Sequence, residues 1–136
     1  MSVELNHTII FVKDKRASAA FLAGILGLRP APQWAGFIPV QMSNGVTLDF
    51  ADADEISGQH YAFLVGEAAF DAALARIRKA GIEFYAEFSG EGRGEINHLY
   101  GGRGVYFHDP NGHLFELITR PYGKTPERWS GASTAS

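Results

Sequence analysis

Residues 7–14, HTIIFVKD, have a counterpart in residues 60–67, HYAFLVGE, and this repeat decides the fold. Each segment begins with a histidine, continues as an apolar run typical of a strand, and reaches a carboxylate seven residues after the histidine. A helical pattern follows each segment and ends at a glycine, Gly27 in the first copy and Gly81 in the second. A repeated strand–helix unit predicts a fold built from two paired modules, with room for a site where the modules meet.

Both copies also end in a predicted hairpin. Asn-Gly pairs at 44–45 and 111–112 precede the apolar segments VTLDF and HLFEL, and Asn-Gly is a strong signal for a tight turn between strands. In each case a carboxylate lies four residues after the turn glycine. The histidines and carboxylates at matched positions are His7, His60, Asp49 and Glu116.

Bulk composition narrows the class of protein. The chain has 136 residues, 46% of them hydrophobic and 20% charged, which suits one ordinary globular domain. Its net charge of -3 comes without any basic run, so nucleic acid is not an expected partner. The absence of cysteine excludes disulfides, thiolate ligands and a cysteine nucleophile. The N-terminal sequence resembles neither a signal peptide nor a membrane span, so we expect a cytoplasmic protein with no membrane partner.

The organisation that follows is a single α+β domain over residues 1–120. Module one covers 3–52 and module two 58–120, and a tail at 121–136 is expected to end in disorder. A strand is expected at 82–88, followed by a segment with six glycines between 89 and 104. Long glycine-rich loops in compact domains are often lids or binding loops.

The matched residues have the chemistry of a metal site. Two imidazoles with one or two carboxylates suit Zn, Mn, Ni, Co or Fe(II) and leave open positions for a substrate. We predict His7, His60 and Glu116 as ligands, with Asp49 as a possible fourth ligand or a general base. The alternative is that these are ordinary strand histidines and surface carboxylates. His98, in the glycine-rich loop, is a second candidate for proton transfer, although an ordinary exposed loop histidine is the better explanation of this residue.

The repeated segments and the closing GVYFHDPNGHLFELIT at 104–119 resemble the vicinal oxygen chelate superfamily. That group includes glyoxalase I, fosfomycin-resistance thiol transferases, extradiol dioxygenases and bleomycin-resistance proteins. The resemblance implies two βαβββ modules whose mixed sheets curl around a central cleft, commonly in a homodimer that can exchange modules between chains. It also implies that His7, His60 and Glu116 hold a divalent metal.

Several activities remain open at this point. The leading expectation is a metal-dependent enzyme that acts as a Lewis acid on a small oxygen-chelating substrate, as a lyase, isomerase or thiol transferase. The chain departs from the fosfomycin enzymes at Ile9, where they have a threonine, and from glyoxalase I at Asp49, where that enzyme has a glutamate. The alternatives are non-catalytic sequestration of an aromatic drug-like ligand and ring cleavage by an Fe(II) dioxygenase.

Overall fold

The computed structural model describes residues 2–122, so all but the first two residues of the predicted tail lie outside the described part of the chain. In chain order the elements are β1 (His7–Val12), α1 (Lys15–Leu26), β2 (Ile38–Gln41), β3 (Thr47–Asp52), β4 (His60–Leu64), α2 (Glu67–Lys79), β5 (Phe84–Tyr85), a 3-10 helix (Leu99–Gly101), β6 (Gly104–His108) and β7 (Leu114–Ile118).

The strands form two mixed sheets, one from each half of the chain. The first has the order β1-β3-β2 and the second the order β4-β7-β6-β5. In both sheets the first strand of the module runs parallel to the last strand, and the other neighbours are antiparallel. The predicted α+β glyoxalase-like fold is therefore confirmed, with two open sheets rather than a closed barrel.

Module one has one strand fewer than the expected βαβββ order. The segment between α1 and β2 contains Pro30 and Pro32, which have no backbone N–H to donate to a ladder. Ala31, between them, donates one hydrogen bond to the Pro39 carbonyl (2.8 Å), and Trp34 pairs only with Phe37. Because of the prolines, isolated hydrogen bonds replace the second strand of this module.

Capping residues set both ends of α1. The Asp14 carboxylate accepts hydrogen bonds from the backbone N–H groups of Arg16 and Ala17, both at 3.1 Å, as an N-cap does. Gly27 ends α1 in the left-handed conformation, with φ 74°. Residues 19, 22, 23 and 25 of α1 and residues 70, 73, 74 and 77 of α2 are buried in one core shared by both modules.

His113 joins the modules inside this core. Its ring is only 1% exposed; Nδ1 accepts from the Gln59 backbone N–H at 3.0 Å, and Nε2 lies 2.8 Å from the Phe11 carbonyl oxygen. The first bond makes Nδ1 the acceptor, so Nε2 carries the proton and donates it to Phe11. One neutral imidazole therefore fixes the end of β1 against the start of β4.

The strand expected at 82–88 is only two residues long. After Tyr85 the backbone turns back on itself, with hydrogen bonds from Ala86 N to Gly92 O (3.0 Å) and from Glu87 N to Glu91 O (3.1 Å). These local bonds use groups that a longer strand would have needed. The base of the glycine-rich loop is held at Arg103, whose guanidinium pairs with Glu67 (2.8 Å) and Asp71 (2.7 Å) and lies over the Phe70 ring.

Within residues 2–122, no helix is long and apolar enough to cross a bilayer.

Candidate metal centre

His60 and Glu116 lie side by side on the second sheet. The register of β4 and β7 pairs Ala62 with Glu116, which brings the His60 ring, two residues earlier, over the carboxylate. His60 Nε2 and Glu116 Oε1 are 3.1 Å apart. The glutamate side chain is mostly buried and the histidine side chain is 36% exposed, so one edge of the pair faces open space.

The tautomer of His60 makes this pair suitable for a cation. Nδ1 lies 3.0 Å from the Leu114 carbonyl oxygen, which can only accept, so Nδ1 carries the proton of the neutral ring. Nε2 then presents a lone pair to a carboxylate oxygen, and two acceptors at 3.1 Å need a proton or a metal ion between them. A backbone carbonyl that orients the second ring nitrogen is the arrangement typical of metal-binding histidines. These donors fit a divalent metal.

Tyr106 supports the carboxylate from the neighbouring strand. It is paired with Glu116 in the β6–β7 ladder, is almost fully buried, and its hydroxyl donates a hydrogen bond to the Glu116 side chain. Burial, followed by the negative charge of Glu116 and this hydrogen bond, raises the pKa of Tyr106 well above its ordinary value. The phenol therefore stays protonated at neutral pH and serves as a donor to the carboxylate.

Aromatic rings surround the pair. The Phe88 ring meets His60 edge to face, with centroids 5.3 Å apart, and Tyr106 stacks on His60 at 6.2 Å. Phe88 and Tyr106 also contact each other, at 6.0 Å. Phe88 is 63% exposed, so it offers an open aromatic surface beside the two acceptors.

The repeat places His7 and Asp49 at the equivalent register in the first sheet. Ile9 pairs with Asp49 as Ala62 pairs with Glu116, and each histidine lies two residues before the paired position. However, His7 Nδ1 contacts the Asn6 side-chain oxygen at 2.7 Å. Within residues 2–122, no three His, Asp or Glu side chains gather closely enough to hold a metal. A single chain thus brings together two of the three predicted ligands, and His7 is not with them.

The two predicted proton-transfer residues lie elsewhere. Asp49 is half-buried in β3, between Ile9 and Pro39 in the sheet. His98 is exposed and immediately precedes the 3-10 helix, where its neighbour Asn97 makes the structural contacts, donating to Ala86 O at 2.7 Å and accepting from Leu99 N at 3.1 Å. Neither residue joins the His60–Glu116 pair.

Sequence reasoning missed two neighbours of the pair, Tyr106 as a partner of Glu116 and Phe88 as a ring against His60. The first carried a usable signal. Strands that leave a three-residue turn at 110–112 pair symmetrically about Asn111, which sets Tyr106 opposite Glu116. Phe88 had no such signal, because its position depends on the reverse turn after Tyr85.

A concavity of about 740 Å³ lies between the β2–β3 hairpin and β4, and its lining includes neither His60 nor Glu116. The pair instead faces outward from the second sheet. A second wall, provided by another module, would be needed to enclose a substrate there.

Comparison with known proteins gives the family. Residues 4–117 match the model of the Glyoxalase/Bleomycin resistance protein/Dioxygenase superfamily. The chain belongs to this superfamily. A solved structure named Oxidase ChaP-H2 is 56% identical, with a TM-score of 0.88 over 90% of this chain and 98% of that chain. Oxidase ChaP-H1 is 51% identical, with a TM-score of 0.87 over 90% of this chain and 99% of that one.

A curated relative carries a different activity. Glutathione transferase FosA of Serratia marcescens is 29% identical over 124 residues, which is 86% of this chain and 81% of that protein. Similarity to enzymes supports enzymatic activity in general, while the names of these relatives include both an oxidase and a glutathione transferase.

Proposed function

We propose that this protein is a metal-dependent oxidase that acts on a small substrate with two adjacent oxygen atoms. The observation that carries the proposal is the pair of facing acceptors, His60 Nε2 and Glu116 Oε1, 3.1 Å apart on the second sheet. The choice of oxidase over the lyase, isomerase and transferase reactions is supported by 56% identity to Oxidase ChaP-H2 over nearly the whole of both chains.

The third ligand in this proposal is His7 of the partner subunit in a homodimer. His7 occupies the position in module one that His60 occupies in module two, and it lies on the exposed face of β1. The neighbours of His7 on that face, Ile9 and Phe11, are 39% and 52% exposed. A second copy that covers this apolar face would bury it and bring its own matched residues to the site.

Fe(II) is the metal that best suits the proposed set. Two histidines and one carboxylate with open positions are the ligands typical of non-heme Fe(II) oxygenases, whereas Zn has no redox chemistry. Bound Fe(II) would supply Lewis acidity and a route for electrons between substrate and dioxygen. The substrate would lose two electrons and two protons, and dioxygen would take them up as hydrogen peroxide.

The residues of the chain have distinct tasks in this scheme. The Leu114 carbonyl fixes the His60 ring, and the Tyr106 hydroxyl orients the Glu116 carboxylate. Phe88 and Tyr106 present apolar ring surface that would exclude water from one side of the site. Asp49, which lies on β3 of module one, and His98 remain the residues that the sequence predicts for proton transfer.

The experiment is metal analysis combined with oxygen uptake. Purified full-length protein is loaded anaerobically with Fe(II), and bound metal is measured by elemental mass spectrometry for wild type, Glu116→Gln and the surface control Glu95→Gln. About one metal per chain in wild type and control, with loss in Glu116→Gln, is expected. Oxygen uptake with a catechol probe then tests the oxidase assignment. Thiol adduct formation with glutathione and an epoxide, without oxygen uptake, would favour the transferase reaction that the FosA similarity suggests.

A further inference from the structure

His108 lies on the same open face as the His60–Glu116 pair, although it belongs to no predicted ligand set. It is the last residue of β6 and is exposed. The register pairs His60 with Leu114 across β4–β7, and His108 with the same Leu114 across β6–β7. Strand spacing therefore puts the two histidine backbones about 10 Å apart on one sheet row.

The direction of the His108 side chain is fixed by a ring contact. Its imidazole meets Tyr85 edge to face, with centroids 6.2 Å apart, and Tyr85 is paired with Tyr106 in the β5–β6 ladder. Phe107, between Tyr106 and His108, points to the opposite side and is fully buried in the core. His108 and Tyr106 therefore face the same side of the sheet.

The imidazole of His108 has both nitrogens available. Among residues 2–122 it takes part in no hydrogen bond or ion pair, and Tyr85 is its ring neighbour. The adjacent carboxylate, Asp109, is buried and accepts from Asn111 N at 3.0 Å and His113 N at 2.8 Å. The ionisable groups that face His108 across the sheet are Tyr85, Tyr106, Glu116 and His60.

We propose that His108 is the general base of the reaction. This inference rests on the proposed oxidase function. A substrate held through adjacent oxygens beside His60 and Glu116 would lie along the sheet over Tyr106, and the one of its two adjacent hydroxyls that is farther from Glu116 would face the His108 ring. The O–H bond breaks, its proton moves to the free ring nitrogen of His108, and its electron pair stays on the substrate oxygen. The resulting anion then passes two electrons to dioxygen, and the proton of the adjacent hydroxyl supplies the second proton of hydrogen peroxide. His108 then returns the proton to the peroxide product.

His108 is better placed for this task than the two residues expected from sequence. Asp49 belongs to the other sheet, and His98 precedes a 3-10 helix outside the ladder that carries Glu116. His108 pairs with β7, the strand of Glu116, and β7 in turn pairs with β4, the strand of His60, so the distance of His108 from the metal ligands is set by the sheet itself.

The test uses 4-nitrocatechol, whose absorption spectrum changes with each phenolic proton lost. Full-length protein is loaded anaerobically with Fe(II), and the spectrum of the bound probe is followed against pH for wild type, His108→Gln, His108→Ala and the rival variant His98→Gln. Metal content is measured in every sample. Oxygen uptake is then compared, and the His108→Ala sample is repeated with added imidazole, which can occupy the exposed space left by the side chain.

The expected result has three parts. His108→Gln retains its metal, loses the second proton of the bound probe about one pH unit later than wild type, and turns over about 100-fold more slowly with little change in KM. Imidazole restores His108→Ala, which a purely structural role would not allow. Unchanged probe deprotonation in His108→Gln, or a shift in His98→Gln instead, overturns the assignment. If the wild-type protein binds metal but takes up no oxygen, the oxidase function is overturned, and the pH dependence of the probe spectra still tests the role of His108. If the wild-type protein binds neither metal nor probe, both proposals are overturned.

Discussion

His60 Nε2 lies 3.1 Å from Glu116 Oε1 while the other nitrogen of the same ring is committed to the Leu114 carbonyl. The contact therefore joins two acceptors and is satisfied only when a cation or a proton enters. Two acceptors held in this geometry are already positioned to bind a metal ion. The contact follows from the parallel pairing of β4 and β7, which holds the two residues at a fixed register.

Replacing Glu116 with glutamine should separate metal binding from stability. The amide nitrogen can donate to His60 Nε2, so the metal-free variant keeps a hydrogen bond and should melt within about 2 °C of metal-free wild type. Metal affinity should fall by more than about 100-fold, because an anionic ligand is lost. Thermal unfolding and competition with a chelator measure the two quantities. A variant that keeps wild-type affinity would remove Glu116 from the site.

Tyr106→Phe should weaken metal binding without removing it. The hydroxyl that donates to Glu116 is lost, and partners of metal ligands typically contribute about 10- to 100-fold in affinity. Tyr85→Phe, on the neighbouring strand, is the matched control and should bind metal as wild type does. Equal chelator competition curves for the two variants would show that the Tyr106 hydroxyl does not act through Glu116.

Much of this arrangement could be predicted from the sequence. The sequence shows His60 and Glu116 at the same places in their module as His7 and Asp49, a strand start and four residues after a turn glycine, although the separations along the chain differ. The structure gives both pairs the same register in their parallel strands. The short β5 was not predictable, because hydrogen bonds between 86 and 92 replace the strand. The separation of His7 from His60 and Glu116 within one chain was not predictable either, because the repeat gives matched positions in the two sheets and not the distance between the sheets.

The ion pair between Arg103 and Glu67 should make stability depend on acid pH. The hydrogen bond and charge of Arg103 lower the pKa of Glu67 in the folded state, so the stabilisation is present above the ordinary glutamate pKa and is lost as pH falls. Glu67→Gln should therefore lower the urea midpoint at neutral pH, and the difference from wild type should shrink only as the pH falls below about 4. Glu87→Gln, on the exposed turn after β5, serves as the control. A difference that grows on acidification would contradict a lowered pKa of Glu67 in the folded state.

His113→Ala should be among the more destabilising single changes in the chain. It removes a buried side chain, leaves the Phe11 carbonyl and the Gln59 N–H without their partner, and opens a cavity between the modules. A loss of about 2–4 kcal/mol in the free energy of unfolding is expected from urea denaturation. His98→Ala removes an exposed imidazole and should change stability by less than about 0.5 kcal/mol. Similar losses for both variants would mean that His113 does not join the modules.

The most direct test of the account is metal binding by mixed dimers of His7→Ala and His60→Ala. If each site takes His60 and Glu116 from one chain and His7 from the other, a mixed dimer contains one intact site, although neither variant alone contains any. An equal mixture, unfolded and refolded together, should then bind about one quarter of the wild-type metal, because half of its dimers are mixed and each regains one of two sites. No metal above the level of the separate variants would contradict a site shared between chains.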